Sequence, residues 1–455
     1  MSSIASNLGT EPLEPDPPGA PDRESAEFRA KGRRALGAAV FGFFVDMYDV
    51  YLPVIVLAPA MAYFMPPETS TADTAIFFSL IFVASIIGRP LGSLLFGPLG
   101  DRVGRRRITL IAAAGSAICT GAMVVLPGYS TLGVGALAIL VVLRLLDGIF
   151  LGGEYTGANP LAMEYTPAHR RGVAGSLINT GFPLALAFIT LVTLATMSVL
   201  PTGDADSAYA VWGWRIPFLL GFLLCSALFL YYLFSVPESE IWTKASKPAG
   251  NPLRELFSRR HLRVMAVSFV AVTGAWLTMN STVGVFANHF RGLGVGDGNI
   301  NATILVVALV GASLFPVMGA LGQRFGRRQV IMGIGLTSAV VGSSAFALAV
   351  SNRDNGALLF ALGILVILPG LMIWALITAF LMELFPTEIR ASGYGVAYAL
   401  PSIIPACYAY YMAWLGNVMD YAYTPVVLIV LGGALIALGG YLAADRRHVD
   451  LEDIE

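Results

Sequence analysis

Two aspartates, Asp46 and Asp49, stand three residues apart in the otherwise apolar run FFVDMYDVYLP. A second charged set, Arg144, Asp147 and Glu154, lies in RLLDGIFLGGEY, and a lone arginine, Arg89, in IIGRPLG. A carboxyl in apolar surroundings favours its neutral form and a neighbouring guanidinium favours the ionised one, so such groups load and release protons as their access to water changes. A guanidinium is also a planar fork that matches a carboxylate. These residue types permit proton exchange and the grip of an organic anion.

The elements that carry them are long and apolar. The chain is 56% hydrophobic and 13% charged, with a mean hydropathy of +0.73, whereas a soluble chain is roughly half apolar and a quarter charged. Twelve segments, from Leu36–Phe64 to Tyr423–Ala444, each have the length and hydropathy to cross a bilayer; about 20 apolar residues span roughly 30 Å of hydrocarbon. The reading is an all-α, multi-pass membrane protein. Asp46 and Asp49 then sit roughly 15–20 Å deep at 1.5 Å per residue. At that spacing they share one helix face, expected to line a central cavity. Each acid costs on the order of 3 kcal/mol at such depth, and intramembrane acids mark function by default. The plainer alternative is a structural pair satisfied by neighbouring helices.

Arg144 and Asp147 are also i, i+3 neighbours, and Glu154 follows on nearly the same face. Arg144 either binds a substrate carboxylate, neutralises Asp46 or Asp49 between turnovers, or holds a permanent pair with Asp147 or Asp49. Arg89 either contacts substrate or snorkels to the membrane surface. The proton-handling candidates are therefore Asp46, Asp49, Arg144, Asp147 and Glu154. Beyond the first half, polar and aromatic side chains replace acids within the apolar segments. With Arg144 and Arg89, the candidate substrate ligands are Tyr48, Asn159, Asn179, Trp276, Asn280, Trp374 and Tyr398. Aromatics at helical spacing are also ordinary packing, and an amide in hydrocarbon needs a partner.

The chain repeats. GPLGDRVGRRR at Gly97 to Arg107 returns as GALGQRFGRRQ at Gly319 to Gln329. EYTPAHRRG from Glu164 returns as ELFPTEIRASG from Glu383, each with acid, proline and arginine in the same register. Such repeats predict two six-helix halves: a disordered tail at 1–35, bundles at 36–236 and 262–444, a linker at 237–261 and a terminal tail at 445–455. With both termini on one side, 23 of the 28 Lys and Arg residues fall on that side. This bias predicts a cell-membrane protein with cytoplasmic termini.

GPLGDRVGRRR resembles the motif between the second and third helices of the major facilitator superfamily. The resemblance implies a cytoplasmic gate network of Asp101, Arg102, Arg105 and Arg106, with Gly97 and Gly104 allowing close packing. Arg324, Glu164, Arg171, Glu383 and Arg390 complete the gate, and Gln323 in place of the acid implies a weaker latch in the second half. GRPLGSLLFGPLGDRVGRR, RLLDGIFLGGEY and EYTPAHRRG together resemble the metabolite:proton symporters, which carry small organic acids and zwitterions. VPESEIW resembles the acid-bearing motif closing the first half in sugar porters and metabolite symporters, and NPLAMEYTP is similar to aromatic-acid and monocarboxylate symporters. By the same resemblance Arg144 belongs to coupling.

No phosphate-binding glycine loop with a lysine, no helical His–Glu metal motif and no G-x-S-x-G elbow is present, so neither ATP-driven pumping nor an enzyme is expected. The three cysteines are dispersed in apolar runs and are expected to be packing residues. The preferred reading is a proton-coupled importer of a small organic anion or zwitterion working by alternating access. No cofactor, metal or nucleic-acid partner is expected, and a monomer suffices mechanically. The alternatives are a proton-driven exporter, a uniporter whose charges only hold helices together, and a nutrient receptor on a transporter scaffold.

Overall fold

Long apolar segments have one economical backbone in hydrocarbon, the helix, because it pairs every amide within the segment. The computed structural model describes residues 25–245 and 250–454 and contains no strand among them. Eleven of the described helices are long and apolar enough to cross a bilayer. In chain order they are α1 (Ala26–Phe64), α2 (Thr71–Val103), α3 (Arg105–Val124), α4 (Gly135–Glu164), α5 (Ala168–Val199), α6 (Tyr209–Ser235), α7 (Leu262–Gly292), α8 (Asp297–Phe325), α9 (Arg327–Ser351) and α10 (Gly356–Met382), with α12 (Thr424–Leu442) last. The remaining crossing, α11, is assembled from Arg390–Ala399, Leu400–Ser402, Ile403–Ala406 and Tyr408–Leu415. Pro401 and Pro405 each remove an amide donor, which breaks this helix into pieces.

One boundary differs from expectation. Residues 26–35, expected in a disordered tail, form the first turns of α1, where the Ser25 hydroxyl accepts the Phe28 amide at 3.1 Å. Residues 1–24 of that tail lie outside the described residues, as do 246–249 of the linker and 455. The rest of the linker holds two short helices, Glu240–Lys244 and Pro252–Leu256.

The halves are α1–α6 and α7–α12, and the repeat is visible in their geometry. Gly104 and Gly326 make the equivalent turns after α2 and α8, at φ 124° and 103°, a backbone region that glycine enters without a Cβ penalty. Both first helices widen into a π turn, α1 at Leu52–Leu57 and α7 at Asn280–Gly284. Across the halves α2 packs on α11, and α5 on α8 and α10. The α5–α8 crossing is backbone-tight: a Cβ at Gly172 would lie 2.3 Å from the Gly319 carbonyl, and the reverse holds at Gly319. The outer surface is apolar, with Leu191, Leu194, Phe234 and Val340 all exposed, as a lipid-facing surface requires.

Candidate functional site

Asp46 and Asp49 do not share a destination. Asp49 points into the first half, where its Oδ1 accepts Arg144 Nη1 at 3.0 Å. The same nitrogen donates to Asp147 Oδ2 at 3.0 Å. Ser116 donates to Asp147 at 2.9 Å and Thr120 to Asp49 at 2.9 Å, both from α3. The Arg144 guanidinium lies 5.1 Å from the Phe218 ring. All three charged side chains are fully buried. Both pairings left open for Arg144, with Asp49 and with Asp147, are present at once.

Asp46 turns to α2 instead, accepting Arg89 Nη2 at 2.9 Å. Arg89 therefore does not snorkel. Among the described residues the other Asp46 oxygen has no hydrogen-bond partner, nor has either carboxyl oxygen of buried Glu154. Arg89 lies 5.1 Å from the Tyr155 ring, and Tyr155 begins an aromatic wall that crosses between halves. Its ring is 4.9 Å from Tyr398, which is 6.0 Å from Trp276 and 5.8 Å from Trp374, and the two tryptophans are 4.6 Å apart. Trp276 Nε1 donates to the Tyr398 carbonyl at 3.1 Å and Asn280 to the Pro405 carbonyl at 3.0 Å, so both tie α7 to the broken α11. Trp374 Nε1 is buried without a partner among the described residues. Asn159 donates to the Tyr394 hydroxyl and Asn179 to the Trp374 carbonyl, each at 2.6 Å, bridging the halves.

On the face that carries the termini, the repeats form a crossed latch. Asp101 accepts the amides of Ala391 and Ser392 at 3.0 and 2.9 Å and the Ser392 hydroxyl at 2.5 Å, capping the first turn of α11. Gly97 permits this approach, since a Cβ there would lie 2.8 Å from Ser392 Cα. Arg105 pairs with Asp101 at 3.2 Å and donates to the Thr387 carbonyl at 2.8 Å. Glu164 accepts from Arg105 at 3.4 Å within its half and from Arg390 at 3.0 Å across it, and also takes the Ser239 hydroxyl. In the second half, Arg327 donates to Glu383 at 2.9 Å and to Gln323 at 2.8 Å. The Gln323 oxygen also takes the Gly172 amide at 3.2 Å. Burial pushes the Glu383 carboxyl up from its ordinary range, against the opposing pull of Arg327 and Arg171. Residues 445–454 lie across this latch. Arg171 donates to the Val449 carbonyl at 2.7 Å and Arg390 to that of Leu451 at 2.6 Å, with Leu451 itself buried.

Buried charge pairs inside one six-helix half, an aromatic wall between halves and a doubled latch at one face are the parts of an alternating-access carrier. The sequence model of the Major Facilitator Superfamily matches residues 36–398. The chain belongs to that superfamily. It is a multi-pass membrane transporter rather than an enzyme. It is 31% identical to the inner membrane metabolite transport protein YhjE of Escherichia coli, over 92% of this chain and 95% of that one. It is 30% identical to the ectoine/proline transporter ProP of Corynebacterium glutamicum, over 81% and 75%. The solved structure of the proton:xylose symporter XylE shares the fold, with a TM-score of 0.70 at 18% identity over 91% and 94% of the two chains.

Within this transporter three candidate residues lie apart from the clusters. Tyr48, a candidate ligand, is fully buried and donates to the Pro217 carbonyl at 3.0 Å, facing α6 rather than the second half. Arg324, placed with the gate, is exposed with its guanidinium 5.4 Å from the Phe325 ring; the register mate of Arg105 is Arg327. Arg102 is exposed and donates to the Gly250 carbonyl at 2.8 Å. Arg106 stays near the latch through the Val236 and Leu233 carbonyls. Residues missed in the sequence are Ser116, Thr120, Tyr155, Arg327, Tyr394, Glu238 and Trp242. Tyr155 adjoins Glu154 in the same motif, and Glu238 and Trp242 stand in VPESEIW, so those three had a signal; lone hydroxyls on α3 had none.

Proposed function

We propose that this transporter is a proton-coupled symporter that imports a small organic anion or zwitterion, with both termini in the cytoplasm. The observation that carries the reading is the Asp46–Arg89 pair at 2.9 Å, with one Asp46 oxygen unpartnered, beside the Tyr155–Tyr398 wall. Arg89 is the substrate-facing guanidinium, because Arg144 is enclosed by two carboxylates of its own half. A proton on Asp46 releases Arg89, whose fork then takes the substrate carboxylate. Trp276, Trp374 and Tyr398 offer ring faces to a cationic end of a zwitterion, and the free Trp374 Nε1 offers a donor. Kinship with an ectoine/proline transporter supports a zwitterion. The loaded, neutralised site then rocks inward and the latch at Asp101 opens. With a zwitterion, one proton moves one net charge inward, which across 100 mV supplies about 2.3 kcal/mol, roughly fiftyfold accumulation; with a monoanion the step is electroneutral and the pH gradient alone drives it.

Proteoliposome uptake from a pooled library of organic acids and zwitterions, read by mass spectrometry with and without a pH gradient acid outside, tests this reading. Gradient-dependent accumulation of a carboxylate is expected, lost in Arg89→Gln and uncoupled from the gradient in Asp46→Asn. Gradient-driven loss of preloaded compound, or an Asp46→Asn carrier with unchanged gradient dependence, would overturn it.

A further inference from the structure

The terminus-bearing face holds an open groove of about 880 Å³, away from both intramembrane charge sets. It lies where the first turns of α1, the α2–α3 turn and the end of α6 meet the linker. Among the described residues five cations line it, Lys31, Arg34, Arg102, Arg106 and Arg107, against one acid, Glu238. That acid is already engaged, accepting the amides of Arg105, Arg106 and Ser239 at 3.0 to 3.2 Å. Lys31 pairs with Glu27 and Glu240 at 2.8 and 2.9 Å, while Arg102 and Arg106 donate to backbone carbonyls. Arg34 and Arg107 are exposed and have no side-chain partner among the described residues. With Lys31 balanced by Glu27 and Glu240 and Glu238 held by backbone amides, the four arginines leave a net positive concavity, which concentrates anions.

The other wall of the groove is apolar. Phe234 is 79% exposed and Val103 40%, and the strip continues along the lipid-facing surface through Leu230 and Leu99. The groove therefore sits where hydrocarbon contact gives way to charge, the level of lipid headgroups. A free anion would use the arginines and leave the apolar wall idle; a phospholipid uses both. We propose that this groove binds an anionic phospholipid, its phosphate on Arg34 and Arg107 and an acyl chain along Leu99, Leu230 and Phe234. The site adjoins the latch, since Trp242 on the same wall donates to the Asp101 carbonyl at 2.8 Å. A bound lipid clamps the linker over the latched state.

Native mass spectrometry of the full-length protein in detergent, titrated with phosphatidylglycerol and with phosphatidylcholine, tests this site. Phosphatidylglycerol is expected to bind at least tenfold tighter, and Arg34→Gln/Arg107→Gln to weaken it roughly thirtyfold, the worth of two basic residues at a membrane surface. Arg34→Lys/Arg107→Lys is expected to retain most of the binding. Arg259→Gln/Arg260→Gln removes the same charge from exposed linker positions and is expected to leave it unchanged. Equal binding of the two lipids, or equal loss in the two glutamine pairs, would overturn the proposal. Displacement by inorganic phosphate at the lipid's own concentration would make this a free-anion site and overturn it as well. Because the readout is lipid binding, its failure leaves the proton-symport reading standing.

Discussion

Replacing Asp101 by Asn isolates the electrostatic part of the latch. The carboxylate accepts three hydrogen bonds from the first turn of α11 and pairs with Arg105, using both oxygens. Asparagine keeps one acceptor oxygen and turns an amide donor on the remaining donors, so about half the contacts are lost. At about 1.5–3 kcal/mol for a hydrogen bond to a charged group, less what water returns on opening, the closed state loses about 2–4 kcal/mol. The closed-to-open ratio then falls roughly thirty- to a thousandfold. Spin labels on His169 and Arg324, exposed sites in opposite halves, read this by pulsed electron resonance once the exposed Cys407 is replaced. The parent protein is expected to show one short distance and Asp101→Asn a second, longer component. Arg102→Gln, which gives up only a contact to the Gly250 carbonyl, is expected to match the parent. An unchanged distribution in Asp101→Asn would refute the assignment of the latch to this carboxylate.

Three further outcomes follow from the same geometry. Gln323→Glu keeps the oxygen that serves Gly172 and Arg327 and adds charge, so in the Asp101→Asn background it is expected to restore part of the short-distance population. Ending the chain at Ala444 removes the carbonyl partners of Arg171 and Arg390; at about 1.5–3 kcal/mol each, the longer component should appear without any change to Asp101. In the buried set two carboxyls share one guanidinium, so Asp49→Asn leaves a balanced Arg144–Asp147 pair and is expected to shift the unfolding temperature little. Arg144→Gln strands both acids and is expected to cost about 3–5 kcal/mol, read as a large drop in the same thermal-shift assay.

The crossings were legible because hydrocarbon forces helices from apolar runs, and the halves because two motifs recur in register. The side-chain destinations were less so. An i, i+3 spacing rotates a helix by about 300°, so Asp46 and Asp49 point roughly 60° apart. Against packed neighbours that separation suffices for one to meet α2 and the other α3 and α4. Tyr48 was misplaced for the same reason, since a position beside an important residue lies about 100° from it. Arg327 was hidden because Gln323 breaks the acid position of the motif, although the arginine four residues on keeps the register of Arg105. The role of residues 445–454 had no sequence signal: carbonyls reach the latch arginines, and carbonyls are invisible in composition.

The two charge sets make different mechanical demands. Asp49, Arg144 and Asp147 are held by α1, α3 and α4, so rocking of the halves leaves their mutual distances intact. Asp46 and Arg89 also sit within the first half, but Arg89 lies against Tyr155, and Tyr155 touches Tyr394 and Tyr398 of α11. At the opposite end of that α11 piece, Asp101 caps its first turn. One short helix, Arg390–Ala399, therefore carries the latch at its start and the aromatic wall at its end. Movement that pulls Ser392 from Asp101 also draws Tyr398 from Tyr155 and changes what surrounds Arg89. Coupling between the latch and the Asp46–Arg89 pair needs no longer path than this helix, less than three turns of a rigid element.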